Sequence, residues 1–509
     1  MHLRGLFSPT QDTGVTFSLL TALAEGADRL VPREARGVLG EGHTEIEAVL
    51  PLTVEDYLTD FQTADSRDEF WRLWGEARSR VVLADGPKEA SEERTKAYAS
   101  AGRYIADRCD VMIAVWDGKQ GRGEGGTADI VEYARDQGVP VLIVPASRGG
   151  CEPEENRLVS SFDGPAAELE GVVASFRRID EYNRASVPER LVLRVEESAR
   201  QSLEALSEAS LIRTQVEKVT DWALPHLVRA DALALRFQAR YAYLAFAVHS
   251  LALLAVIAVG AQIVFARRTP EWLLIEVGLL LVLLGAVWAG RHGRTHDRWI
   301  GCRSLAEAFR SGFFIVLAAA AEGQEDGDTE PLPRDQPWSQ RAFSEAWRQR
   351  PHVAYDEAAA VELRDYLVAG WIESQIRYHR GAARRYEQTR TWYATCISAL
   401  AVTTIAVALI HILVVANSSG VANALEFVAI VLPGLGAAIA GLREQGQHHV
   451  HQDRSRRTIA RLERLKSQSE QTVTLDSVRR LALETHRVIV EENQDWWGVI
   501  EFQDIELVL

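Results

Sequence analysis

The chain has 509 residues, 47% of them hydrophobic and 25% charged, with a formal net charge of −15. So acidic a balance argues against a nucleic-acid-binding protein, because contacts to phosphates need a basic face. A near-zero mean hydropathy excludes a wholly membrane-embedded protein and leaves room for about two or three domains, while four cysteines (Cys109, Cys151, Cys302, Cys396) without CxxC spacing offer no disulfide or zinc framework and fit a reducing compartment.

The opening MHLRGLFSPTQDTG has no apolar core, so no secretory signal is expected in it. Residues 1–150 then read as α/β. Apolar runs FSLLTAL, EIEAVLPL, DVMIAVWD and PVLIVPA alternate with helical stretches GADRLVPREA, DEFWRLWGEARS, KAYASAGRYIADR and TADIVEYARDQG. Runs of Val, Ile and Leu without alternation are what strands buried on both faces of a parallel sheet look like. The expected fold is a Rossmann-like, doubly wound parallel sheet, whose ligand crevice lies beyond the carboxyl ends of the strands.

Three loops fall on that edge. The first holds Glu25, Gly26 and Asp28, the second Pro51 followed by Glu55, Asp56 and Tyr57, and the third runs from Asp117 and Gly118 to Gly125, Gly126 and Thr127. Glycines let the backbone approach a ligand closely, and amides at a helix N-terminus offer partial positive charge to a phosphate or carboxylate. The same residue types also serve tight turns and helix caps.

The strings LAEGADRLV, VLPLTVEDYLTDF, CDVMIAVWDG, GRGEGGTADIVEYA and GVPVLIV, in that order over residues 15–146, resemble the SLOG superfamily. That superfamily groups the LOG nucleotide-processing enzymes, the DNA-processing A protein and many sensor domains of bacterial conflict systems. The resemblance implies a Rossmann-like domain that binds a nucleotide-derived ligand, with Gly125, Gly126 and Thr127 matching the phosphate loop and Glu25, Gly26 and Asp28 the second ligand-side loop. Two departures stand out. The family opens with a strand and glycine loop that residues 1–14, with only Gly5 and Gly14, do not carry, so the start is truncated or the pocket lacks one wall. The acidic signature of the LOG enzymes is only partly echoed by Asp129 and Glu132.

Residues 151–216 read as a linker and helical stalk. The modules that follow, 217–320 and 356–509, are separated by a loop over 321–355 and each carry two apolar stretches: about 243–265 and 272–289, then about 392–416 and 425–442. A hydrocarbon layer of roughly 30 Å needs about 20 helical residues, so the expectation is an all-α transmembrane region of two hairpins and four spans. The turns hold Arg267, Arg268 and Pro270, and Asn417, Ser418, Ser419 and Gly420; Trp272, Trp288, Trp392 and Tyr393 sit near span ends, where amphipathic rings favour headgroups. Arg229, Arg236, Arg240, Arg291, Arg294, Arg298 and Arg303 flank the first hairpin, and Arg384, Arg385, Arg390, Arg443, Arg454, Arg456 and Arg457 the second. By the positive-inside rule both hairpins keep their ends, and with them both termini, in the cytoplasm, Arg267 and Arg268 in the first turn being outnumbered; the resemblance to bacterial conflict systems implies that the membrane is a bacterial inner membrane.

Within the spans, Glu276 and Glu426 occupy matching places near the start of the second helix of each hairpin, with His249, Gln262 and His411 as further polar positions. A ring of carboxylates makes a cation-preferring constriction, whereas carboxylates at an interface merely reach headgroups or water. GLGAAIAG supplies a smooth face for helix packing. His448, His449 and His451 have the ligand chemistry of a metal site but no further ligands, and no metal, catalytic residue or cofactor is assigned.

The strings RADALALRFQARY, RWIGCRSLAEAFR, WIESQIRYHRGAARRYEQTR and DRSRRTIARLERL around the hairpins resemble SLATT-type modules, two-span effectors found beside SLOG domains. This resemblance implies membrane disruption or pore formation in antiphage defence, by a homo-oligomer with a lipid bilayer and a nucleotide-type small molecule as partners. Two alternatives remain: a membrane-tethered nucleotide or NAD hydrolase using Glu25, Asp28, Asp117 or Glu132, and a passive scaffold.

Overall fold

Strand β1 (Phe17–Thr21) is the first regular element in a computed structural model that describes residues 7–84, 86, 91–119, 123–146, 161–163, 166–204, 210–265, 271–318, 338–414, 419–445 and 448–500. The chain divides into two units, Met1–Ala185 with Gly323–Ala342, and Ser186–Glu322 with Phe343–Leu509. In the first unit β1 is followed by α1 (Ala27–Leu39), β2 (Thr44–Leu50), α2 (Val54–Tyr57), α3 (Ala64–Glu76), β3 (Ser79–Val82), α4 (Ser91–Arg108), β4 (Met112–Trp116), α5 (Thr127–Asp136), β5 (Val141–Pro145), β6 (Ser161–Asp163) and α6 (Ala166–Arg184).

The strands form two small sheets. In one, β1, β2 and β3 run parallel, with Leu19 opposite Ile46 and Ala48 opposite Arg80. In the other, β4 and β5 are parallel, with Ala114 opposite Ile143, and β6 is antiparallel to β5. Parallel pairing requires a crossover, supplied here by α1, by α2 with α3, and by α5. Strand β3 falls where the sequence pattern ran a helix on through Ser79; with only four residues and alternate burial it is an edge strand that carries little apolar signal. Strand β6 and helix α6 lie past residue 150, and Val172 and Val173 of α6 close a core with Phe7 and Val15.

Ile46, Leu50, Leu52, Tyr57 and Phe70 are fully buried around the first sheet, and Met112, Val131, Val139 and Val141 form the core of the second. Each large apolar side chain of this kind stabilises by about 1.5–3 kcal/mol.

The second unit is helical: α7 (Glu189–Glu204), α8 (Arg213–Phe265), α9 (Glu271–His292), α10 (Thr295–Ala318), the Phe343–Trp347 part of α11 (Trp338–Trp347), α12 (Ala360–Leu367), a π-helical turn at Val368–Ile372, α13 (Glu373–Val414), α14 (Ser419–Gln445), α15 (His448–Ser469) and α16 (Leu475–Ile500). Among the described residues, four of its helices are long and apolar enough to cross a membrane, and they cover the four predicted spans, the third as far as Val414. Side chains such as Leu274 (72% exposed) and Leu413 (75%) have no protein to bury them. Apolar area that large finds its partner in lipid, so the chain is a multi-pass membrane protein.

Each hairpin repeats one layout. A long helix enters, a second returns, and a third packs back on the entering helix outside the apolar stretch: α10 on α8, and α15 on α13. The hairpins meet through α8 and α14, with α9 packed on α8 and α13 on α14. Small residues permit the approach. A Cβ at Gly434 would lie 2.8 Å from Val256, one at Gly260 would lie 3.2 Å from Ile430, and the rings of Phe265 and Phe427 pack tilted with their centres 5.6 Å apart. Beyond the spans a second core holds Trp371 stacked on Phe314 at 4.9 Å, with Ile212, Leu317, Leu363 and Val478 around them. The turns with Arg267, Arg268, Pro270, Asn417 and Ser418 lie outside the described residues.

Candidate functional site

Two of the three expected loops are tied together by backbone-directed hydrogen bonds. After β1 the chain turns at Leu23, which is buried with φ +56°. A left-handed leucine needs support, and Arg29 gives it. The Arg29 side chain, 3% exposed, donates through Nε to the Leu23 carbonyl (2.9 Å) and through Nη1 to the Ser66 carbonyl and hydroxyl (both 2.8 Å), and lies 4.4 Å from the centre of the Phe61 ring. Tyr57, from the loop after β2, donates to the Ala22 carbonyl at 3.0 Å. Pro51 is buried between Leu50 and Leu52 and serves the core.

Glu25 and Gly26 line an open cleft of ≈ 640 Å³, with Arg29 and Arg72 on one hand and Asp65, Asp68 and Glu69 on the other. Ser66 donates to Glu25 across it. Gly26 caps α1 with φ +99°, a conformation few other residues adopt. Asp28 does not line this cleft. Its carboxyl is raised by burial, against the pull of the Ala24 and Ala22 amides and Arg29, which marks it as a brace of the β1 loop.

The glycine loop is fixed differently. Gly125 adopts φ +79° and presses on α4, where a Cβ would lie 2.8 Å from the Ala99 amide nitrogen. Its own N–H donates to Asp129 of α5 at 2.8 Å, so one amide at this helix entrance is occupied by a carboxylate of the chain. Gly126 caps α5, and a Cβ there meets only the Gly123 carbonyl at 3.5 Å. Asp117 is exposed and accepts from the Lys119 amide at 3.1 Å, while Gly118, exposed at φ +76°, completes that turn. Glu132 is exposed on α5.

Helix α4 links these parts. Thr95 and Ala99 face Gly125, while Arg94 bridges Asp56 and Asp60 (both 2.6 Å) and Tyr98 donates to Asp60. Burial opposes the charge on Arg94, but hydrogen bonds to Asp60 and Asp56 outweigh it and raise its proton affinity. The loops after β2 and β4 therefore rest on one helix. Arg29 and Arg94 were not singled out in the sequence; the Asp28-Arg29 pair in LAEGADRLV was the one available signal for the first.

In the second unit Glu276 and Glu426 are half-buried in α9 and α14. Glu426 lies one turn before Ile430, which packs on Gly260, so it flanks the face turned toward α8. A polar junction missed by sequence reasoning lies outside the spans. Glu307 of α10, 5% exposed, accepts from Arg303 (2.8 Å) and Arg310 (2.5 Å); Arg310 also reaches Asp231 of α8 at 3.9 Å, and Arg303 donates to Tyr378 of α13 at 3.2 Å. Burial alone would raise the Glu307 carboxyl, but Arg310 and Arg303 hold it at about 2. Beside it His379, 4% exposed, is lowered to about 4 by burial and Arg454, and Arg454 pairs with Glu492 of α16 at 3.0 Å. His451 is buried and stacks on Tyr386 while His449 is exposed, so the histidine cluster is dispersed.

No family model, curated protein or solved structure matches the chain.

Proposed function

We propose that the chain is a signal-gated membrane effector of a bacterial defence-type system. A nucleotide-derived ligand binds the first unit, in a crevice bounded by Glu25, Gly26, Gly125, Gly126 and Thr127, and changes the packing of the spans until the membrane leaks. The observation that carries this reading is helix continuity. The 53-residue α8 and 42-residue α13 each run unbroken from the polar junction into an apolar span, so a shift outside the bilayer is delivered inside it. The two sheets, ordered β3-β2-β1 and β4-β5, are read as halves of one Rossmann-like layer, since joining β1 to β4 gives the doubly wound order. Arginines on the polar side of every span support cytoplasmic termini and an inner-membrane location.

Liposomes holding the purified full chain and a trapped dye, exposed to a panel of linear, cyclic and NAD-derived nucleotides, should leak with one class and not the others. Gly126→Trp should abolish the response, because that site has room for a side chain that fills the loop mouth. Leak that ignores every nucleotide and survives Gly126→Trp overturns the reading. The carboxylates of Glu25, Asp65, Asp68 and Glu69 around one cleft favour a second reading, an N-glycosidic hydrolase; released base in the same incubations would identify it.

A further inference from the structure

A groove of ≈ 440 Å³ opens on the second unit where the first hairpin leaves its apolar stretch. Its walls change character along its length. Arg240 of α8 and Thr295 of α10 supply its polar groups, Ala239, Ala289 and Gly290 leave it open, and Leu244, one turn on from Arg240 toward the span, forms its apolar end. Leu244 packs on Val248, Leu283 and Val287, so that end continues into the lipid-facing surface of the hairpin. Tyr243 beside it is 75% exposed, as an interfacial aromatic is.

The charge in the groove lacks a counterion from the protein. Arg240 is exposed and makes no hydrogen bond or ion pair among the described residues. One turn earlier, Arg236 is occupied with Ser186, and burial together with Arg240 lowers its hold on its proton. An unpaired guanidinium above an apolar slot at the depth of a headgroup, with a second cation one turn away, complements a molecule with an anionic head and a hydrocarbon tail.

We infer that this groove is a binding site for one anionic phospholipid of the bilayer, its phosphate at Arg240 and Thr295 and an acyl chain along Leu244. The inference is independent of any nucleotide ligand and rests only on the chain being embedded in a membrane.

The test uses the full chain in neutral detergent micelles doped with phosphatidylglycerol or with phosphatidylcholine of the same acyl chains, and counts retained lipid by native mass spectrometry. A single phosphatidylglycerol should be held in preference to phosphatidylcholine. Arg240→Gln, an exposed and structurally mild change, should weaken retention about fivefold, and Ala239→Phe, which fills the groove without altering charge, should weaken it similarly. Arg384→Gln, at the approach to the second hairpin, should have no effect. Equal retention of the two lipids, or the same loss from Arg384→Gln, overturns the site in favour of a general basic surface. Displacement of the lipid by millimolar inorganic phosphate overturns the lipid as its ligand.

Discussion

His379 and Glu307 occupy one buried polar junction and titrate in adjoining windows. The imidazole is lowered to about 4 from an ordinary 6.5, so as pH falls the unfolded chain takes up that proton first. Its contribution is complete above pH 6.5 and is lost between there and about 4, a change of about 3 kcal/mol. The carboxyl, held at about 2 against an ordinary 4.5, stabilises fully above 4.5 and is lost as pH falls toward 2. His379→Gln should therefore remove about one proton's share of the slope of stability against pH between 6.5 and 4, leaving the part due to His226 and His486, also lowered by burial. Thermal midpoints of the detergent-solubilised chain across that range test this, and an unchanged slope refutes it. Glu307→Gln, by leaving Arg303 and Arg310 facing each other without their carboxylate, should cost about 3–5 kcal/mol at neutral pH. The glycine loop offers a second contrast. Gly125→Ala puts a side chain at φ +79° against the α4 backbone and should destabilise by about 1–3 kcal/mol, whereas Gly126→Ala should be nearly neutral in the same melts.

Among elements, the α8–α14 contact is the seam between the apolar stretches of the two hairpins. Gly434→Leu drives a side chain into Val256 and should lower the thermal midpoint by the equivalent of about 1–3 kcal/mol. Gly436→Leu, two residues on with open space around its Cβ, should not; equal losses from both would mean the hairpins are not held together by this seam. The spans were readable from sequence because lipid exposure demands an unbroken apolar run, a constraint set by the helix itself. GLGAAIAG was readable for the same reason, since small residues at helical spacing mean close approach whatever the partner. Strand β3 was hidden because Ser79, Arg80, Val81 and Val82 carry no local strand signal stronger than the helix before them. Arg29 and His379 were hidden because their meaning lies in partners at a distance: Ser66 for the one, Glu307 and Arg454 for the other. The grouping of Glu25 with Gly26 was legible as a loop, while the inward role of Asp28 was not, because burial is a property of the fold.

For the molecule as a whole, two hairpins with all long helices extending to one side predict that Glu271 and Gly420, at the far ends of the spans, share a face of the membrane opposite to Leu193. In a cysteine-free background, Glu271→Cys and Gly420→Cys should react with a membrane-impermeant maleimide in intact spheroplasts, and Leu193→Cys only after permeabilisation. Labelling of Leu193→Cys from outside would invert the topology. The order of the spans carries one more consequence. Contacts run from α9 to α8 to α14 to α13, a row whose apolar side chains are largely left turned to lipid. A row has no inside. Should ions cross the bilayer through this protein, the wall of their path must be assembled from several chains, with Glu276 and Glu426 placed to line it where one row meets the next.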